Sequence, residues 1–174
     1  EDIAMFRTLL DSVVLHPCDA VSTERLVEEM AKHTGIAYLR TLRGSTPVIY
    51  DASEEFPIGG CKVPRQSPED RITIVGAGMT VHEALAAHDR LKETGSACRV
   101  IDLYCVKPLP ADALREAASD TGNVVTVEDH FAEGGIGEAV AAALTDRSAR
   151  VHSLAVRKKP KSGKGWRDWF SWGK

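Results

Sequence analysis

A chain of 174 residues and 18.9 kDa, 43% hydrophobic and 27% charged, has the make-up of a globular protein with one full core and part of a second. That mix excludes a disordered, fibrous or collagen-like chain. No window approaches the ~20 apolar residues of a membrane span, and the first residues lack the basic stretch and cleavage site of a secretory signal. The net charge of -3 sums two unlike parts: residues 1–156 carry 15 Lys/Arg against 24 Asp/Glu, whereas residues 157–174 carry 7 Lys/Arg, 1 Asp and all three tryptophans.

The first segment, DIAMFRTLL, reads as a short helix or turn, followed by a strand from Val13 to Leu15 that stops before Pro17. Asp19 falls in a loop, and Ser22 or Thr23 caps a helix running to about His33 with Leu26, Val27 and Met30 on its apolar side. Gly35 ends it. IAYLRTLR is the next strand and VIYD, after Pro47, a short further one. Residues 52–71 hold three prolines and two adjacent glycines and read as a linker with one short edge strand near residues 61–63.

A cleaner unit follows. ITIVGAG is a buried strand leading into a glycine turn, and Thr80 with Glu83 three residues later has the spacing of a capping box. Val81, Ala84, Leu85, His88 and Leu91 recur at three and four as one buried stripe. CRVIDLYC, KPLPADALREAA, NVVTVED, GGIGEAVAAAL and VHSLAV continue as strand, helix, strand, helix, strand. This alternation predicts an α/β, doubly wound, mostly parallel sheet over residues 68–156, preceded by part of a second α/β domain. Two strands and one helix cannot cover both faces of a parallel sheet, so the first segment is expected to be completed by other sequence.

The acidic body disfavours nucleic acid as a partner. Cys18, Cys61, Cys98 and Cys105 show neither CxxC nor zinc spacing, and the chain is large enough to fold without disulfides, which together with the missing signal suits the cytoplasm. VGAGMT suits either a pyrophosphate at a helix N-terminus, with Asp102 as a ribose-binding acid, or simply a tight turn; glycine is missing at position 81, where the dinucleotide fingerprint needs it. EDHFAEGG places Glu128, Asp129, His130 and Glu133 at a strand's carboxyl end, suited to acid/base chemistry, a divalent ion, or a structural or subunit contact. Arg40 and Arg43 lie three apart at a strand end, so one enters a cleft while the other forms a salt bridge, and a guanidinium suits a phosphate. His16 reads as a satisfied structural histidine. WRDWFSW suits a membrane surface, base stacking, or a short helix folded back on its own domain.

From Glu1 to Gly163 the sequence resembles the carboxyl-terminal third of a transketolase. EDIAMFRTL, HPCDAVSTERLVEEMA, GIAYLRTLR, IVGAGMTVHEALAA, IDLYCVKPLPADAL, VTVEDHFAEGGIGEAVAAAL and HSLAVRKKPKSGK occur in that family's order and spacing. The resemblance implies part of a thiamine-diphosphate enzyme of the pentose phosphate pathway, which moves a two-carbon ketol unit from a ketose phosphate to an aldose phosphate. It maps residues 1–55 onto the second half of a pyrimidine-binding domain, 56–67 onto a linker, 68–156 onto the family's C-terminal domain and 157–174 onto a tail. It makes Arg43 the residue that binds the substrate phosphate. The family's cofactor and metal ligands and its catalytic glutamate and histidines belong to upstream sequence, so thiamine diphosphate and a divalent cation (Mg or Ca) are expected in the complete enzyme and not on this segment, which alone is expected to be inactive. Implied partners are the rest of the chain or a separate N-terminal subunit, a second copy in a homodimer, and sugar phosphates. The alternatives are a C-terminal part of a 2-oxoacid dehydrogenase beta subunit or of a deoxyxylulose-phosphate synthase, or a non-catalytic oligomerisation module. Leu42, Gly44 and the final GWRDWFSWGK depart from the family pattern.

Overall fold

The computed structural model describes residues 2–157; the basic aromatic tail, with the three readings given to it, lies outside the described residues. The elements are α1 (Asp2–Arg7), β1 (Val13–Leu15), α2 (Ala20–Lys32), β2 (Ala37–Leu39), β3 (Lys62–Arg65), β4 (Ile72–Gly76), α3 (Met79–Glu93), β5 (Cys98–Asp102), β6 (Cys105–Lys107), α4 (Ala111–Thr121), β7 (Asn123–Phe131), α5 (Ile136–Ala143) and β8 (Arg150–Val156). They build two sheets, three-stranded β2-β1-β6 and five-stranded β3-β5-β4-β7-β8. In the larger one β5, β4, β7 and β8 run parallel, and only the edge strand β3 is antiparallel. This is the expected α/β, mostly parallel architecture.

Strand alternation explains how helices cover both faces of the larger sheet. Val75, Ile101 and Val124 turn to one side, where they pack with Leu114 and Ala117 of α4 and Ile136 and Val140 of α5. Ile74, Cys98 and Val100 turn to the other and pack with Ala84 of α3. Gly122, at φ +68°, ends α4 in the left-handed conformation open to glycine, its N–H donating to the Ala118 carbonyl at 2.9 Å. No helix among the described residues is long and apolar enough to cross a membrane. Cys18, Cys61, Cys98 and Cys105 are free thiols.

Several local expectations are corrected. Asp19 is the N-cap of α2: its carboxylate accepts the Ser22 N–H at 2.8 Å while the Ser22 hydroxyl accepts the Asp19 N–H at 3.1 Å, so Ser22 is the second half of a capping box and not the cap. Val27 remains 51% exposed, leaving Leu26 as the buried residue of that stripe. At α3 the N-cap is Gly78, and the Thr80 hydroxyl is engaged elsewhere, accepting from the Ala77 N–H at 3.0 Å and donating to the Val127 carbonyl at 2.7 Å; no box with Glu83 forms.

β2 is shorter than IAYLRTLR because its partner β1 is only three residues long and its chain turns at Pro17; the last bond, Arg40 N–H to the Leu15 carbonyl, is 2.9 Å. VIYD is not a strand. The Ile49 and Tyr50 N–H groups donate to the Asp19 carboxylate at 2.9 and 3.2 Å, which meets their hydrogen-bonding need without a neighbouring strand. CRVIDLYC divides after Asp102, and Cys105 starts β6, which leaves the five-stranded sheet to pair antiparallel with β1. The larger sheet therefore supplies the third strand of the smaller one.

Candidate functional site

At the carboxyl ends of β1 and β2 the chain enters residues 40–61, a connection without helix or strand. Arg40 is anchored at its start: Nε lies 3.0 Å from Asp2 and one terminal nitrogen 2.5 Å from the Asp129 carboxylate, with only 20% of the side chain exposed. Arg43, one turn of the loop further on, is exposed and makes no hydrogen bond or ion pair among the described residues. Arg40 forms the expected salt bridge, whereas Arg43 faces solvent and does not line the neighbouring cavity. A cavity of about 470 Å³ separates residues 41–46 from the first turn of α2, with Asp19, Thr23, Leu42, Ser45 and Thr46 among its walls.

Four further contacts hold this loop. The Thr46 hydroxyl donates to the Cys18 carbonyl at 2.9 Å, the Ile49 and Tyr50 N–H groups reach Asp19, and the Tyr50 hydroxyl donates to Asp102 Oδ2 at 2.9 Å. The Cys18 thiol meets the same oxygen at 3.2 Å. Asp102 is fully buried at the tip of β5, and Oδ1 has no partner. Burial, only partly offset by the Cys18 and Tyr50 hydrogen bonds, pushes its carboxyl up to about 7. The ribose-acid alternative does not fit this placement, since no solvent-facing oxygen remains. Sequence reading missed Asp19 and Tyr50. The D-x-x-S spacing before an apolar helix was a signal for the first; nothing in the sequence flags the second.

Glu128, Asp129, His130 and Glu133 do not converge. Alternation along β7 buries Glu128 and His130 while Asp129 turns to Arg40, and Glu133 is exposed past the strand end. The Glu128 carboxylate accepts the Ile136 and Gly137 N–H groups at 2.8 and 3.0 Å, meeting the first turn of α5. Burial pushes Glu128 up to about 7 against the lowering effect of those two bonds and of Arg7. A Cβ on Gly135 would lie 1.9 Å from its Oε2. Arg7 donates to the Gly134 carbonyl and, at 2.8 Å, to the Gly135 carbonyl, and the Ala4 N–H points to His130 Nε2 at 3.5 Å, so this loop seats α1.

At VGAGMT the ring of His16 fills the space over Gly78; a Cβ there would lie 2.1 Å from Nε2. Gly76 is needed for close approach of β4 to α3, its Cβ position being 3.0 Å from the Thr80 and Val81 backbone. The turn therefore serves packing. His16 is 1% exposed, yet Nε2 has no partner, so it is buried without being satisfied. Burial lowers its pKa to about 4. Among the described residues no group of three or more His, Cys, Asp or Glu side chains is placed to hold a metal ion. The His16 ring over Gly78 leaves no room there for a pyrophosphate.

Fold and site together define an α/β protein in which a five-stranded, mostly parallel sheet is joined to a three-stranded one. The family model for "Transketolase, C-terminal domain" matches residues 61–165. Transketolase-like protein 1 of Bos taurus is 51% identical over 166 residues, covering 94% of this chain and 28% of that protein. Transketolase of Homo sapiens is 45% identical over 166 residues, covering 94% of this chain and 27% of its own length. A solved structure described as a split gene transketolase, inactive beta4 tetramer, superposes with a TM-score of 0.87 at 34% identity, covering 91% of this chain and 52% of that one. The chain belongs to the transketolase C-terminal domain family, and it spans about a quarter of the length of the curated relatives it matches.

Proposed function

We propose that this chain is the substrate-phosphate and assembly portion of a transketolase-family protein, without turnover by itself. Arg43 holds the phosphate of a sugar phosphate through two parallel N–H···O bonds while other sequence supplies the chemistry. The observation that carries this reading is that Arg43 is exposed and has no ion pair among the described residues, while the neighbouring Arg40 is tied down; its chain neighbours Leu42 and Gly44 line the 470 Å³ cavity, though Arg43 itself does not. In the complete protein, upstream sequence would hold thiamine diphosphate with a divalent cation, and that group would supply the chemistry for moving a two-carbon unit between ketose and aldose phosphates of the pentose phosphate pathway. This chain's own part is to bind, orient and exclude water. The division into residues 1–55, 56–67 and 68–156 belongs to the same proposal, supported by β4, β5, β7 and β8 all lying in one sheet.

The test combines this chain with the upstream part of the protein, covalently or as a separate subunit. The isolated 174 residues are expected to turn over no xylulose 5-phosphate with ribose 5-phosphate, and the combination is expected to do so. Arg43→Ala in the combination is expected to raise KM for the phosphorylated acceptor by roughly 10- to 100-fold, the range for losing a charge-assisted bidentate contact. KM for glycolaldehyde, which has no phosphate, stays unchanged; an equal rise for both acceptors refutes the assignment. A second reading, a non-catalytic assembly module, is favoured by the similar structure described as an inactive beta4 tetramer. On that reading the isolated chain sediments as an oligomer and the combination gains no activity.

A further inference from the structure

Residues 40–61 carry Arg43 across a long span with no ladder of their own, so its position depends on side-chain ties. Arg40 fixes the entry through Asp2 and Asp129, and Asp19 fixes the backbone at residues 49 and 50. Two further ties, at Thr46 and at the Tyr50 hydroxyl, lead toward one atom on the other sheet. Asp102 Oδ2, at the tip of β5, takes the Tyr50 hydroxyl at 2.9 Å and the Cys18 thiol at 3.2 Å. Cys18 in turn offers its carbonyl to the Thr46 hydroxyl at 2.9 Å and to His82 Nε2 at 2.8 Å. The middle of the loop, at Thr46, and its exit, at Tyr50, are therefore referred to a single buried carboxyl oxygen. The Tyr50 ring stands edge-on to Phe56 with centroids 5.0 Å apart, and Phe56 does the same to Tyr104, so the ring keeps its seat without the hydroxyl.

We propose that Tyr50 and Asp102 are positioning residues for Arg43: their hydrogen bond, made across the two sheets, holds residues 41–48 where the guanidinium meets the sugar phosphate. The proposal rests on the reading of Arg43 given above. Neither residue touches substrate. A purely structural role would lower stability and affect all substrates alike, whereas a positioning role acts selectively on the phosphate.

The experiment uses the complete protein, or this chain assembled with its upstream partner, carrying Tyr50→Phe, Asp102→Asn, Arg43→Ala or Tyr50→Phe with Arg43→Ala. Tyr50→Phe removes one oxygen and leaves the aromatic seat, so it is the less disruptive of the two changes at this hydrogen bond. It is expected to raise KM for ribose 5-phosphate about 5-fold, the scale of one neutral hydrogen bond, with kcat within about 2-fold and KM for glycolaldehyde unchanged. Amide exchange at Ile49 and Tyr50, whose N–H groups donate to Asp19, is expected to accelerate about 10-fold while β4 and β7 keep their protection. Added to Arg43→Ala, the Tyr50→Phe change should cost nothing more, because the two act on one contact. Equal KM rises for both acceptors, additive losses in the double variant, or unchanged exchange at Ile49 and Tyr50 would each overturn the proposal. If Arg43→Ala leaves the preference for phosphorylated acceptors intact, the reading of Arg43 itself falls, and the positioning role with it. A phosphate-selective loss in Arg43→Ala with an unresponsive Tyr50→Phe overturns the positioning role alone.

Discussion

Gly78→Ala is expected to destabilise the fold by about 3 kcal/mol, from backbone strain and steric overlap together. Gly78 has φ +59° and ψ -127°, a combination that only glycine adopts without strain. The added methyl would also lie 2.1, 2.5 and 2.6 Å from three atoms of the His16 ring, which is buried and has nowhere to move. The two contributions can be separated in a double-mutant cycle, measured as urea midpoints at constant m-value. His16→Ala alone loses packing. In its background Gly78→Ala should cost roughly 1 to 2 kcal/mol less than in the natural sequence, because only the backbone part remains. Strictly additive costs would show that the ring and the glycine do not meet.

The second large effect is on pH. Asp102 and Glu128 are both held near 7 by burial, above their ordinary values of 3.8 and 4.5. Each therefore binds a proton more readily folded than unfolded; its contribution is complete below pH ~4 and is lost as pH rises through ~7. Around Asp102, Cys18, Tyr50 and Lys62 favour the ionised form and Asp19 opposes it; around Glu128, Arg7 and the two α5 N–H groups favour it and Asp129 opposes it. His16 works in the other direction. Its pKa falls from 6.5 to about 4, so its contribution is complete above the unfolded value and is lost as pH drops toward 4. Between about pH 4.5 and 6.5 two carboxyls oppose one imidazole, and these three groups together make stability fall by up to about 1.4 kcal/mol per pH unit. Asp102→Asn and Glu128→Gln should each remove about one proton from that slope. With both in place the contribution of His16 dominates and the sign of the difference reverses. Urea midpoints across this range test it, and parallel curves for the natural and doubly substituted proteins would contradict the assignment.

Helices and core strands were legible in the sequence because their periodicities are local. Strand alternation and glycine turns placed β4, β7, β8 and the helices of the larger sheet, and Val13 to Leu15 emerged from three apolar residues before a proline. The errors fell where the satisfying partner is distant in sequence. VIYD has the composition of a strand, but its donors are met by a carboxylate 30 and 31 residues away. CRVIDLYC reads as one mostly apolar run, and nothing within it says that Cys105 will join β1, since the reason is an open strand edge on another sheet. The same holds at the site. The arginine pair was visible as a pattern, but both residues lie past the end of β2, so the tie of Arg40 to Asp2 and Asp129 comes from distant partners and not from strand geometry. The convergence of Cys18 and Tyr50 on Asp102 was not visible, because two residues 84 and 52 positions from their common partner leave no local trace. EDHFAEGG looked like one acidic cluster, yet alternation along β7 sends its members to three separate tasks.

The antiparallel pairing of β6 with β1 also sets a timetable for synthesis. Leu15 is partnered by Cys105 and Val14 by Lys107, so the central strand of the smaller sheet waits for residues about 90 positions later. At the ~5–20 residues per second of translation, that interval is on the order of 5–20 s. Throughout it β1 has one finished edge, toward β2, and one bare edge of unmet N–H and C=O groups next to apolar Val13, Val14 and Leu15. A stall of synthesis between residues 40 and 105 is therefore expected to leave that edge open to pairing with another nascent chain.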